Sequence, residues 1–470
     1  MKLSIIGLGK LGAPMSAVMA HKGHTVIGVD INPRHVKAIR EGRAPVNEPQ
    51  LAEMIAANRE RLTATESYEE AILATDVTFI IVPTPSRSDG RFSMEFVLQA
   101  AQKIGAALRK KRSWHLVVLS STVMPGCVGG ELLPELCRYS GKQCPEDFGL
   151  CYNPEFIALG SVVRDMLRPD MILIGESDAR SGAILEELYS GVCESNPPIQ
   201  RMNYVNAELT KLSVNTFVAT KISYANMLAQ ICETLPEADA DVVTAALGCD
   251  TRIGAKYLKG ALGFGGPCFP RDNVALSALA RDNGVPALLA EATNGLNRRQ
   301  VPRLTKMILS HLPVSGAAGV MGLSFKPNTE VIEESQGIAI AQALLAAGAR
   351  VVVYDPAAME NAKQVLTGDV IFADSAEECV RLADVVAITT PWAEFQDLPP
   401  AAFQRRRGHL TVLDCWRVLP EQVAGTIEHY LTLGKGGKPG YFAVAAGIEK
   451  LPREVSVRRS RARLGPAIIR

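Results

Sequence analysis

One cysteine of this chain stands where its sulfur could react. Gly263-Phe264-Gly265-Gly266-Pro267-Cys268-Phe269-Pro270-Arg271-Asp272 places a single thiol in a glycine-rich loop, with a carboxylate four residues on. Glycines let backbone approach a ligand closely, and a cation such as Arg271 favours thiolate over thiol. The pattern points to a nucleophile; taken alone it equally fits a buried structural cysteine. A second pair, Lys211 and Asn215, lies four residues apart on a helical stretch and so shares one face, where the bland alternative is a solvated stripe. Two hydroxyl-bearing segments, Pro83-Thr84-Pro85 and Ser120-Ser121-Thr122, follow apolar runs. Open α/β sheets bind ligands at such strand ends, which makes Thr84 and Thr122 candidate cofactor contacts.

The elements that would carry these residues are readable. Residues 2 to 6 are a short apolar run, Gly7-x-Gly9-x-x-Gly12 follows at once, and 13 to 21 reads as a helix. A second run, 25 to 30, ends in Asp30, 18 residues after Gly12, where a dinucleotide-binding unit places the carboxylate for the adenosine ribose. Asp30 implies NAD rather than NADP, because a carboxylate repels a 2′-phosphate, although Arg34 and His35 stand close by. Apolar runs at 76–82, 116–120 and 171–174 extend the alternation into a buried parallel sheet.

From Asn203 to Leu235 there is neither Gly nor Pro, and Leu209, Leu212, Phe217, Ile222 and Leu228 recur at helical spacing. One helix of 33 residues is expected, long enough to join two domains and to supply a subunit interface. Strand-like runs then resume at 319–326, 350–355, 384–390 and 410–414. This second unit lacks the Gly-x-Gly-x-x-Gly turn, so it is expected to hold a single nucleotide group. Residues 434–440 read as a mobile loop.

Composition narrows the class. The 470 residues suggest roughly three domains of about 150 residues. With 50 Lys plus Arg against 49 Asp plus Glu, no global field favours nucleic acid or a membrane surface. No stretch of about 18 uninterrupted apolar residues occurs, and the amino terminus runs straight into a glycine turn. The ten cysteines include no Cys-x-x-Cys pair, which suggests neither a zinc site nor a disulfide framework, and no metal is expected. A reducing cytoplasm is the expected location. The tail from Arg453 carries six arginines and one acid and reads as a solvated, disordered end.

Taken together, Gly7-x-Gly9-x-x-Gly12, Asn153-Pro154-Glu155-Phe156, Lys211 with Asn215, the cysteine loop and Gly322-Leu-Ser-Phe-Lys326-Pro-Asn resemble the UDP-glucose/GDP-mannose dehydrogenase family in order and spacing. The resemblance implies an α/β chain: an N-terminal Rossmann domain (1–200) for NAD, a central helical dimerisation domain (201–300) with the cysteine loop, and a C-terminal Rossmann-like domain (301–452) for the UDP-sugar, before the tail at 453–470. It implies a four-electron oxidation of a sugar C6 alcohol to the carboxylate, UDP-glucose to UDP-glucuronate, with two NAD reduced in turn, and a homodimer or higher homo-oligomer.

By the same resemblance Cys268 is the nucleophile, Lys211 stabilises the oxyanion, Asn215 bonds near C6, Asp272 with Thr122 positions a water, and Glu155 assists thioester hydrolysis. Gly7, Gly9, Leu11, Gly12, Asp30, His35, Thr84, Thr122 and Arg271 would hold the cofactor. Glu155, Phe156, Ile157, Lys211, Asn215, Lys256, Tyr257, Lys259, Gly265 and Lys326 would hold the nucleotide sugar, with Arg252 reaching in from a neighbouring subunit. Three positions depart from the family pattern: Phe156-Ile157-Ala158-Leu159-Gly160 replaces Phe-Leu-Arg-Glu-Gly, Glu333 stands where an arginine is common, and Arg271 replaces a lysine. Cofactor affinity and sugar identity depend on them. Sibling substrates (UDP-N-acetylmannosamine, UDP-N-acetylglucosamine, GDP-mannose) remain open, as does a nucleotide-sugar sensor without turnover. A β-hydroxyacid dehydrogenase would need neither the cysteine nor the second Rossmann-like unit.

Overall fold

Two sheets flank a helical centre in a computed structural model that describes residues 1–404 and 409–437. The first has eight strands: β1 (Lys2–Ile6), β2 (Thr25–Val29), β3 (Leu62–Thr65), β4 (Val77–Ile80), β5 (His115–Leu119), β6 (Phe148–Tyr152), β7 (Ile172–Glu176) and β8 (Ile199–Met202). Their order is β3-β2-β1-β4-β5-β6-β7-β8. All neighbours are parallel except β6 and β7, where Cys151 pairs Glu176 antiparallel, so the expected all-parallel sheet holds only through β6. The core strands are buried on both faces. Leu3, Ile5 and Phe79 pack under the helix Gly12–His21, while Ile6, Ile80 and Leu119 face Val97, Ala101 and Ile104 of the helix Glu95–Lys110. Each fully buried large apolar side chain contributes about 1.5–3 kcal/mol.

The second sheet has six parallel strands, β9 (Ala317–Met321), β10 (Arg350–Tyr354), β11 (Val370–Phe372), β12 (Val385–Ile388), β13 (Thr411–Asp414) and β14 (His429–Thr432), ordered β11-β10-β9-β12-β13-β14. It repeats the first sheet's hydrogen bonding closely. The Gly7 amide donates to Val29 at 2.7 Å and the Gly322 amide to Tyr354 at 2.8 Å. A Cβ on Gly12 would lie 1.8 Å from the Gly7 carbonyl, and one on Gly337 would lie 2.1 Å from the Gly322 carbonyl. Gly7 and Gly322 both adopt positive φ, 99° and 104°. The second unit therefore keeps the first and third glycines of the turn, which the sequence reading missed because residues 323–336 separate them where only 8–11 do so in the first.

Between the sheets runs the helix Tyr204–Thr234, 31 residues and about 47 Å long. Asn203 caps it, accepting from the Asn206 amide at 2.9 Å. The helix is turned inside out relative to an ordinary amphipathic one. Glu208, Lys211, Asn215, Asn226 and Glu233 are buried, whereas Val205, Leu209, Phe217, Tyr224 and Ile231 are exposed, Phe217 by 68%. Of the spaced apolar residues, only Leu212 is fully buried.

The expected mobile loop is docked where it is described. The Gly434 amide donates to Glu233 at 2.9 Å, its carbonyl accepts from Ala240 at 2.8 Å, and the Gly436 amide donates to Ala238 at 2.8 Å. Residues 438–440 of that loop and the basic tail lie outside the described residues.

Candidate active site

Cys268 stands at the N-cap of the helix Phe269–Asp282, with Pro270 in the first turn, where proline's missing N–H costs nothing. Two asparagines clamp the loop that leads to it. Asn226 donates to the Leu262 carbonyl and accepts from the Ala261 amide, both at 2.9 Å, and Asn297 exchanges the same pair of bonds with Phe264 at 2.8 and 2.9 Å. A Cβ on Gly265 would lie 2.3 Å from the Glu334 carbonyl, so only glycine lets the loop lie against the C-terminal unit. Cys268 as a residue remains exposed, although its sulfur is set among protein groups.

Around this sulfur the structure gathers the residues that chemistry would need. Asn215 donates to Asp272 Oδ2 at 2.6 Å. Arg271 lies 3.4 Å from both Asp272 Oδ1 and Thr84 Oγ1, and its guanidinium stacks on Phe92 at 4.2 Å. Thr84 in turn donates to the Thr122 carbonyl at 2.7 Å. Lys211 Nζ donates to the Glu155 carbonyl at 2.5 Å and sits 4.6 Å over the Phe156 ring. Lys211, Asn215 and Asp272 are 6%, 8% and 2% exposed, which excludes the solvated stripe for the helix pair.

Burial dominates the electrostatics. It lifts the Asp272 carboxyl, against Lys211, Arg271 and Asn215. It lowers the Lys211 ammonium, against the anionic forms of Asp272, Cys268 and Glu155. It raises Glu155 to about 7, opposed by Lys211 and the Tyr189 hydroxyl. The Cys268 thiol is raised by burial and Asp272; Lys211 and Arg271 pull it down without winning. Arg271 thus favours the thiolate as expected, but burial and Asp272 outweigh it. A reaction at Cys268 must remove a proton, and Lys211, Asp272 and Glu155 are ionisable groups with displaced affinities nearby.

The first glycine turn fits a dinucleotide. Gly9 has open space where a Cβ would stand, and Leu11 at the N-cap of the helix Gly12–His21 offers no side-chain cap to the Gly12 amide, while the Ala13 amide donates to the Gly9 carbonyl at 3.1 Å and Pro14 has no N–H. Asp30 accepts from the Leu8 amide at 2.6 Å and the Asn32 amide at 2.7 Å, with His35 Nδ1 at 3.3 Å, so its carboxylate is fixed at the strand end. The matching acid in the second unit, Asp355, is saturated. It accepts from the Leu323, Ser324, Ala357 and Ala358 amides, the Ser324 hydroxyl and Trp392 Nε1. No lone pair is left there for a ribose.

The remaining predicted residues are more dispersed. Lys326 is lowered by burial near Asp165, Glu48, Arg164 and Cys268, which places it within reach of the sulfur's field. Tyr257 meets Phe269, the neighbour of Cys268, edge-on at 6.3 Å. Ile157 packs against the first core. Lys259 is ion-paired to Asp241, which Arg417 also holds at 3.0 Å, and Lys256 pairs with Asp170 at 2.8 Å. Arg252 is exposed and paired to Asp250 at 2.6 Å. These three cations are thus held by acids rather than by the cysteine cluster. Glu333 offers its carbonyl to the Gly266 amide at 3.1 Å. Asn226, Asn297, Phe92 and Tyr189 were not singled out from sequence; an asparagine inside a helix, a position its competing side-chain bonds disfavour, was the available signal for the first two.

Comparison with known proteins agrees. Residues 1–193, 205–299 and 319–421 match the NAD binding, central and UDP binding domains of the UDP-glucose/GDP-mannose dehydrogenase family. The UDP-glucose 6-dehydrogenase AglM of Haloferax volcanii is 39% identical over 85% of this chain and 93% of its own length. The GDP-mannose 6-dehydrogenase of Azotobacter vinelandii is 31% identical over 91% and 99%. A solved UDP-glucose dehydrogenase from Pyrobaculum islandicum superposes with a TM-score of 0.83 at 36% identity, covering 92% of this chain and 96% of that one. Among the described residues no helix is long and apolar enough to cross a membrane. With the cysteine loop, the fixed Asp30 and the paired sheets, these matches make the chain a member of the UDP-glucose/GDP-mannose dehydrogenase family, an NAD-dependent oxidoreductase of nucleotide sugars.

Proposed function

We propose that the substrate is UDP-glucose and that its C6 alcohol is oxidised to the carboxylate through a covalent intermediate on Cys268. The observation that carries this reading is Cys268, an exposed residue at a helix N-terminus, whose sulfur lies in the field of the buried Lys211 and Asp272, with Asn215 bonded to Asp272. Bound NAD supplies a hydride acceptor for each of two oxidations. In the first, C6 loses hydride and its hydroxyl loses a proton, leaving an aldehyde. The sulfur then adds to C6 as the thiol proton leaves and the carbonyl oxygen is protonated, giving a thiohemiacetal. Loss of a second hydride and the hydroxyl proton gives a thioester. Water attacks that carbon, the C–S bond breaks, one water proton returns to the sulfur and the other is released, leaving thiol and carboxylate.

Lys211 would balance negative charge on the C6 oxygen, with Asn215 bonding near C6 and Asp272 with Thr122 positioning the water. Glu155 and Thr122 belong to the hydrolytic step, Glu155 because a carboxyl that titrates near 7 can take a proton from water. Gly7, Gly9, Leu11, Gly12, Asp30, His35, Thr84 and Arg271 would hold the cofactor; Phe156, Ile157, Lys256, Tyr257, Lys259, Gly265 and Lys326 the nucleotide sugar, with Arg252 from a second subunit. In this division residues 1–200 serve NAD, 201–300 the cysteine loop and dimer contact, and 301–452 the UDP-sugar, in a cytoplasmic enzyme.

The exposed apolar side of the long helix supports a homodimer through Phe217, Tyr224 and their neighbours, since monomers rarely leave such a stripe in water. The test of the whole reading is a panel of UDP-glucose, UDP-N-acetyl sugars and GDP-mannose with NAD, counting NADH per sugar. About two NADH with UDP-glucose supports the proposal; a preference for GDP-mannose would move it to the sibling activity, and a stoichiometry of one would end the covalent scheme.

A further inference from the structure

The group behind Glu155 has no part in the scheme above. Tyr189, on the helix Ala179–Val192 and 5% exposed, turns its hydroxyl toward both Asn153 and Glu155. It bonds Asn153 Oδ1 and lies 3.4 Å from Glu155 Oε1. Asn153 cannot rotate freely to answer it, because its Nδ2 donates to the Leu173 carbonyl at 2.9 Å and its backbone amide to Leu119 at 2.8 Å. Its side-chain oxygen is therefore presented to Tyr189 as a fixed acceptor.

A phenol has one proton and can also accept. When Glu155 is ionised, the Tyr189 proton can turn to the carboxylate. When Glu155 is protonated, its own O–H can turn to the phenol oxygen while the Tyr189 proton stays on Asn153. The second state pairs all three groups and the first transfers the Tyr189 donor from Asn153 to Glu155, with no heavy atom moving in either. The other titratable groups facing Glu155 are Lys211 from the long helix and Cys193 at the end of the tyrosine's own helix. Tyr189 keeps its proton throughout, since burial and then Glu155 raise it well above an ordinary phenol.

We propose that Tyr189 is a positioning residue for thioester hydrolysis, aiming the Glu155 carboxyl and letting it take and release a proton in place. The proposal rests on the reading of Glu155 as the group that handles the hydrolytic water. The experiment compares Tyr189→Phe, Glu155→Gln and the double variant, measuring kcat and KM across the neutral pH range and the acyl-enzyme by intact mass. With Tyr189→Phe the KM values for sugar and NAD should hold, while ionised Glu155 loses a donor. The acid limb of kcat should then move up by about one pH unit, a roughly tenfold loss below neutrality that recovers at alkaline pH. Mass bound to Cys268 should accumulate, and the change should cost nothing further when position 155 carries Gln.

A superimposable pH profile, or an equal loss in the Glu155→Gln background, would overturn the role of Tyr189. Wild-type acid release by Glu155→Gln would instead overturn the reading of Glu155 itself. Should Tyr189→Phe not fold, Asn153→Asp serves as well. A carboxylate there would draw the phenol proton away and repel charge on Glu155, so the same upward shift is expected, and an unmoved profile would sink the proposal.

Discussion

Asn215 on the long helix donates to Asp272 on the cysteine helix across 2.6 Å, and both side chains are almost wholly buried. This bond fastens the element that spans the protein to the element that starts at Cys268. It also supplies one of the few stabilising partners of a carboxyl that burial pushes up.

Asn215→Ala leaves Asp272 Oδ2 without that donor in a dry site, a loss of about 1–3 kcal/mol in stability. Thermal unfolding should show a lower Tm, and kcat should fall more than KM rises, because the bond aligns reacting groups. An unchanged kcat with a lowered Tm would reduce the bond to a structural one.

Cys268→Ser should leave NAD and sugar binding nearly intact by calorimetry, as the hydroxyl is close in size, and should abolish measurable formation of acid, because an alcohol is a far weaker nucleophile. Wild-type turnover would show that the loop is only a turn.

Glu155 fixes a pH dependence. Its folded value of about 7 lies above the ordinary 4.5, so between those limits the unfolded chain ionises it first and stability falls as pH rises, by about 3 kcal/mol at most. Glu155→Gln should therefore raise Tm at pH 8 and change it little at pH 4. The reverse pattern, a loss confined to pH 8, would mean the carboxylate is stabilised in the fold.

Asp30 and Asp355 should respond differently although they occupy matching strand ends. Asp30→Ser should raise the KM for NAD and narrow the preference over NADP, since the 2′-phosphate no longer meets a negative charge. Asp355→Asn removes acceptors from buried amides and should lower Tm while leaving both KM values alone. Kinetics with the two cofactors, beside a melting curve, separates the two acids.

How much of this was legible depended on how local the signal was. The first turn could be read because Gly7, Gly9 and Gly12 stand close together, and the cysteine loop because glycines and prolines punctuate it. Lys211 and Asn215 could be paired by spacing, yet not placed, because their helix buries its polar side and exposes Phe217 and Leu209. Gly322 and Gly337 escaped notice because a pattern in sequence cannot see a contact closed over residues 323–336. The antiparallel β6 and β7 were equally hidden, since an apolar strand reads the same in either direction.

That long interval costs the fold little. Lengthening the stretch between the two glycines from 4 residues (8–11) to 14 (323–336) raises the entropy of closing it by only about 1 kcal/mol. The bond from Gly322 to Tyr354 and the contact of Gly337 with Gly322 survive unchanged in kind. A nucleotide-type turn can thus hold its two glycines together across a stretch more than three times as long, at a closure cost of only about 1 kcal/mol.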